Sequence, residues 1–480
     1  MNFAGLIFLI VAHFVAGRGI LQLFRLELKS VQQICLSFII GVPLLSLAPC
    51  FVQLFHIPIT FKSIFMANAV VAALCSIPLL VRFRMPKFDK PSLPQLYELP
   101  FLLCCLTLVV LSVWRCYYYP VFARDMLAGP ELLAEFAVRE HTMVSSVFNV
   151  DLATTNNYFK SPYITCLQIT YKLMVHPFGQ LWMSVLFVPF IILLYSFLRG
   201  RVHPFLASLL LFLFMTIPDL FAYSFVMLYD YSNMIFFFLG FYYLTQHLEN
   251  RQTNTFALSV FMFGIATYIR VETLVLITML SLMPLYMFYR QKLGLKQMAL
   301  RMALFIGVPV VAYYVCIHVF VEHFVPLHFN ASDDVNKNLG DLSYLFDRFS
   351  KMNSILVFGP QGLVVYGLFM KFFMGLLVID IIYFFITRRP MTMQARYALY
   401  GVLVIYLGLP LLGYLLPLFD IMNTTKRGLF KIMPLMLMYM ANSGMIQAIS
   451  TWLTNWMNKR DEKKLTPKPA PVATSGKKKR

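Results

Sequence analysis

The chain has 480 residues, 60% of them hydrophobic and only 13% charged, and its 40 Lys+Arg against 21 Asp+Glu give a formal net charge of +19. Soluble globular chains carry about 25% charged residues, so this composition, with a mean hydropathy of +0.72, excludes disorder, a disulfide scaffold or a coiled coil as the dominant character. It leaves a polytopic membrane protein. The eight cysteines form no CxxC pair, so neither a zinc site nor a disulfide frame is indicated.

A bilayer core takes about 20 mostly apolar residues per helix. In chain order the apolar runs are 2–17, 33–55, 63–81, 99–114, 181–198, 204–218, 231–247, 255–270, 272–289, 300–323, 362–387, 396–416 and 429–453. The expected fold class is therefore all-α, a membrane bundle of about 13 transmembrane helices. The run 2–17 lacks a basic segment before it, and Arg18 follows it. It reads as a retained helix rather than a signal peptide.

Basic residues set the orientation. Arg18, Arg25 and Lys29, then Arg82, Arg84, Lys87 and Lys90, then Arg199 and Arg201, then Arg290, Lys292, Lys296 and Arg301, then Arg388, Arg389 and Arg396 mark the cytoplasmic loops. The segment Lys459–Arg480 holds nine Lys/Arg against Asp461 and Glu462. Its Pro-rich composition reads as a disordered, solvated basic tail.

The opposite loops are larger. Loop 115–180 comes first, loop 325–361 later, and short ones hold Pro218–Asp230 and Pro417–Gly428. A built-up outer face suits an enzyme acting at the membrane surface better than a channel. In the first loop, Pro130 can open a helix. Leu132, Leu133, Phe136, Val138 and Met143 then recur near helical spacing, as expected of an amphipathic helix lying along the interface. A second such helix is expected after Pro162, with Ile164, Leu167, Tyr171 and Met174 on one side and Gln168 and Lys172 on the other.

Several charged residues stand out on this face. Asp125 follows the fourth apolar run, where a carboxylate can serve as general base or simply cap a helix or face solvent. Asp230 stands where a span resumes. Arg270 and Glu272 interrupt an apolar stretch, so they face a cavity, pair, or form a snorkelling hairpin. Lys426 and Arg427 break the charge rule at an outer mouth, as a phosphate-binding pair or as two exposed cations. Lys371 and Asp380, within one run, are expected to find structural partners. Asp333, Asp334 and Asp341 do not match a calcium loop.

Five passages carry a resemblance: FARDMLAGPELLAEFAVREHTM, YFKSPYITCLQITYKL, MLYDYSNMIFFFLGFYYL, FGIATYIRVETLVLI and NTTKRGLFKIMPL. Their order resembles the GT-C class of integral-membrane glycosyltransferases, which includes protein O-mannosyltransferases and lipid A aminoarabinose transferases. The chain departs from that pattern in places: His141 stands where the class often has Gly, Pro162 where it often has two prolines, Val271 where it has Pro, and Tyr268–Ile269 replaces part of its Thr lead-in. The resemblance covers about 99–453. It divides the chain into an N-terminal three-helix membrane extension with its linker (1–98), a GT-C-like core (99–453) and the tail (454–480).

The resemblance implies a sugar donor on a polyprenyl phosphate and an inverting transfer to a glycan, lipid or protein acceptor at the outer face. It implies Asp125 as catalytic base, with Arg270, Lys426, Arg427 and Lys160 on the donor phosphate and Asp230 and Glu272 shaping the site. It implies no cofactor, with a divalent metal left open. Membrane lipids are the expected surroundings, and no nucleic acid is a partner. The alternatives are a lipid-linked-sugar ligase or polymerase, a transporter, or a non-catalytic scaffold. The membrane is read as the bacterial inner membrane, with the endoplasmic reticulum as the alternative. There the sequons Asn330-Ala331-Ser332 and Asn423-Thr424-Thr425 would matter.

Overall fold

The structure, a computed structural model, describes residues 2–81, 93–147, 160–324, 340–415 and 421–465. The described residues are helical, with no strand among them. Nine of these helices are long and apolar enough to cross a bilayer. The count is ten if the pair Asn423–Asn442 and Gly444–Asn458, bent by 52°, is one span. Of the thirteen expected runs, three fall outside this set. Pro204–Met215 has 12 residues, which rise about 18 Å against a hydrocarbon core of about 30 Å. Thr253–Ile269 has 17 residues. Tyr229–Asn250 is long enough at 22 residues but too polar, because Asp230, Ser232, Asn233, Gln246, His247, Glu249 and Asn250 lie along it. The chain is thus a multi-pass membrane protein.

Lipid satisfies no backbone group, so each crossing segment must bond to itself. Prolines sit inside several of the helices, at Pro43, Pro78, Pro189, Pro309 and Pro410. The lipid-facing elements keep large apolar side chains outward, as on Phe61–Val81 with Met66, Val70, Leu74 and Ile77. Tyr229–Asn250 lies at the other extreme, enclosed along nearly its whole length.

The N-terminal helices are part of this bundle. Phe3–Leu23 crosses Ser30–Leu45 at Gly17 and Gly41, where a Cβ on either would collide with the backbone of the other helix. The same first helix lies against Tyr163–Met174. Asn2 N donates to the Val175 carbonyl at 2.9 Å, and buried His13 Nε2 bonds the Tyr171 hydroxyl at 2.9 Å.

Two expectations are corrected. The second loop helix exists as Tyr163–Met174, but it is buried on nearly every side rather than lying along the interface. The N-terminal helices cover its apolar side, and its polar side faces the first loop helix, Pro130–Glu140. The last helix also runs to Leu465, into the segment expected to be tail from residue 454. The expected loop residues Arg82, Arg84, Lys87 and Lys90, the aspartates Asp333 and Asp334, the sequon at Asn330, and 466–480 lie outside the described residues.

Candidate active site

The site is built on two helix ends that meet. Tyr229–Asn250 begins with Leu228 extended and places Asp230 in its first turn, where the helix dipole favours a carboxylate. Thr253–Ile269 ends at Arg270, whose backbone is extended (φ −142°). The chain turns there and resumes as Thr273–Leu280. Val271 at this break does not prevent it, so the turn forms without the proline that the resembling class has. Buried Asn233 secures the break: its Nδ2 donates to Thr273 Oγ1 at 2.9 Å and, at 2.6 Å, to the Ala266 carbonyl, which also accepts the Arg270 N–H.

Arg270 is the hub. Its guanidinium pairs with Asp230 and with Glu272. Asp230 is 2% exposed, and burying a carboxylate requires such a partner. A second guanidinium arrives from the far end of the chain. Arg427, in the short helix Lys426–Gly428, donates from Nε to the Asn423 carbonyl at 3.0 Å. It places that Nε 3.9 Å from Asp230 Oδ2 and its Nη1 3.4 Å from Asp125 Oδ2. Asp125 lies in the first turn of Arg124–Leu127 and is the most open member, its side chain 58% exposed.

Lys160 completes the first loop's contribution. It precedes Ser161, whose carbonyl accepts from the Tyr229 hydroxyl at 2.8 Å. Tyr163 donates to Ser232 at 3.3 Å. These two bonds dock the segment beside Asp230. Burial pushes the Lys160 ammonium down to about 8, helped by the Arg270 and Arg427 charges and opposed by Glu272 and Asp230.

Six of the seven expected residues are therefore brought together: Asp125, Lys160, Asp230, Arg270, Glu272 and Arg427. The seventh, Lys426, points elsewhere and pairs with Asp219 at 3.0 Å, while its carbonyl accepts from the Tyr366 hydroxyl at 2.9 Å. Sequence reading missed Lys431, which is 3% exposed and acts electrostatically on Asp230. It follows Arg427 by four residues, a spacing that puts both on one helical face and was legible in NTTKRGLFKIMPL. Asp219, which neutralises Lys426, was also missed.

The cluster thus sets four cations, Lys160, Arg270, Arg427 and Lys431, against three carboxylates, Asp125, Asp230 and Glu272. An excess of buried positive charge in a low-dielectric setting attracts an anion. Among the described residues no group of three His, Cys, Asp or Glu is placed to hold a metal ion.

The remaining expected residues have structural partners. Lys371 donates to the Val357 and Phe358 carbonyls at 3.0 and 3.3 Å. Asp380 accepts from the Tyr439 hydroxyl at 2.7 Å and from Met445 N at 3.1 Å, where the last helix breaks. Asp341 caps Leu342–Lys351 through Ser343 N.

His141, where the resembling class often has Gly, adopts the left-handed conformation (φ 59°) at the end of Pro130–Glu140. That position suits glycine. Here the imidazole Nδ1 bonds the Ile59 carbonyl at 2.8 Å. No family model, curated protein or solved structure matches the chain.

Proposed function

We propose that the chain is a glycosyltransferase of the outer membrane face, moving a sugar from a polyprenyl phosphate to an acceptor with inversion. The observation that carries this reading is the meeting of Asp125 with Arg427, Arg270 and Lys160, residues from four of the five passages that resemble the GT-C class. In this reading the donor phosphate enters among the four cations. Arg427 exchanges its contact with Asp125 for the phosphate, and the carboxylate turns to the acceptor. The acceptor oxygen bonds to the anomeric carbon as its proton passes to Asp125. The bond from that carbon to the phosphate oxygen breaks, and the phosphate leaves with the electron pair. Arg270, Arg427 and Lys160 offset the charge that develops on it. Asp230 and Glu272 hold Arg270 in place. The membrane is read as a bacterial inner membrane.

The test is turnover of a panel of polyprenyl-phosphate sugars by the purified protein in lipid, beside Asp125→Asn. Loss of a general base lowers turnover by about 10²–10⁴-fold while donor binding persists. Normal turnover by that variant would refute the role given to Asp125.

One observation favours a second reading, a scaffold that keeps the fold without the chemistry: Arg270, Arg427 and Lys426 are each already matched by a carboxylate. A wild-type protein that binds no donor lipid would support it.

A further inference from the structure

A pair of cavities lies at the other end of Tyr229–Asn250 from the charged cluster. Tyr229–Asn250 has Asp230 in its first turn and Glu249 near its last, so the two ends stand about 30 Å apart. Around Glu249 a cavity of about 650 Å³ is lined by Lys29, Arg201, Gln246, Gln394 and Asn442. An adjoining cavity of about 920 Å³ opens between Phe369–Thr387 and Gly444–Leu465, walled by Tyr383, Phe384, Phe385 and Trp452. Arg389 and Arg396 stand at its edge. Thr392 and Gln447 line both cavities, so the two lie side by side.

The two halves differ in chemistry. The larger is an apolar groove with two guanidiniums. Among the described residues the arginines paired to carboxylates are Arg139, Arg199, Arg270 and Arg427, so Arg389 and Arg396 keep their charge for another partner. Asp380 at the groove is already bonded to Tyr439 and to Met445 N and does not compete.

The smaller half is rich in amides. Gln394 Nε2 donates to Glu249 Oε2 at 2.7 Å, and Arg201 Nη1 donates to Asn442 Oδ1 at 3.1 Å. Two buried atoms there, Gln246 Nε2 and Glu249 Oε1, have no hydrogen-bond partner among the described residues. One is a donor and the other an acceptor, and a hydroxyl group satisfies both kinds. Such atoms are costly to leave unpaired.

We propose that this space binds one anionic phospholipid whose headgroup carries hydroxyls. Its chains lie in the aromatic groove, its phosphate meets Arg389 and Arg396, and its polyol enters the amide-lined half. The basic loops around it are those that the charge rule assigns to the cytoplasm, so the lipid comes from that leaflet. This site is independent of the transferase reading.

The experiment embeds the full chain in phosphatidylcholine bilayers with equal amounts of phosphatidylglycerol and phosphatidylserine. Native mass spectrometry then counts the lipids retained on release. We expect one phosphatidylglycerol kept in preference to the other two. Arg389→Ala with Arg396→Ala should lower that retention about tenfold, by loss of charge-assisted phosphate contacts. Ala448→Trp keeps both arginines and fills the groove, and it should lower retention equally. Equal retention of phosphatidylserine overturns the hydroxyl-bearing headgroup. Equal retention of phosphatidylcholine, or wild-type retention by Ala448→Trp, overturns the site. If the arginine variant does not fold, the lipid competition and Ala448→Trp still decide.

Discussion

Arg427 touches two carboxylates with different exposures, and in the proposed transfer that difference separates their tasks. Asp230 is buried and shared with Arg270, so it fixes guanidiniums; Asp125 is open, so it can meet an incoming hydroxyl. Replacing Arg270 with Ala leaves Asp230 buried with a weakened partner set. We expect a loss of about 3–5 kcal/mol in stability, read as a lower unfolding temperature in detergent, whereas Arg427→Ala should raise the KM for the donor more than that for the acceptor. An equal effect on both substrates would speak against a phosphate contact.

Lys160 adds a pH dependence. Its free ammonium loses its proton near pH 8, and only the protonated form attracts phosphate. Donor affinity should therefore hold below that pH and fall as pH rises through it. Lys160→Met should be weaker below that pH, approach the wild type above it and show a smaller fall; an unchanged profile in that variant would exclude Lys160. Charged residues amid apolar sequence are visible by their cost, which is why Arg270, Glu272 and Arg427 were legible. Lys431 was not singled out, because a lone Lys beside a Lys-Arg pair reads as one more surface cation. Only tertiary packing buries it.

At the scale of the element, broken helices create the site. A continuous helix through Arg270 would carry the guanidinium elsewhere. Among the described residues Asn233 accepts no bond in return for the two it gives, so Asn233→Ala should cost about 1–3 kcal/mol, as two buried hydrogen bonds of about 0.5–1.5 kcal/mol each are lost. Thermal unfolding of the variant checks this. The helices themselves were legible from apolar run length, and so was the helix opened by Pro130. The surroundings of Tyr163–Met174 were not. Its 3-4-3 apolar spacing fits an interfacial helix, and nothing local reveals that Phe3–Leu23 covers one side. Nor does spacing reveal that Glu131 and Glu135 hold Lys172 on the other, at 2.6 and 3.0 Å.

For the molecule as a whole, the N-terminal helices act as a wall for the first outer loop. Gln53 Oε1 accepts from Met143 N at 2.7 Å and from Thr142 Oγ1 at 3.1 Å. Ile59 N donates to the His141 carbonyl at 2.8 Å. Gln53→Ala should release this loop locally, so that protease nicks it about tenfold faster while the bundle's unfolding temperature stays unchanged. Equal nicking would mean that the loop is held by other contacts. The order in which the chain is made adds a consequence of the Arg427–Asp125 pair. These partners are separated by 302 positions, which at about 5–20 residues per second is roughly 15–60 s of translation. Asp125 and the loop around it are therefore made long before their guanidinium exists. A ribosome that stops short of Arg427 leaves an inserted, helical protein whose charged centre was never closed.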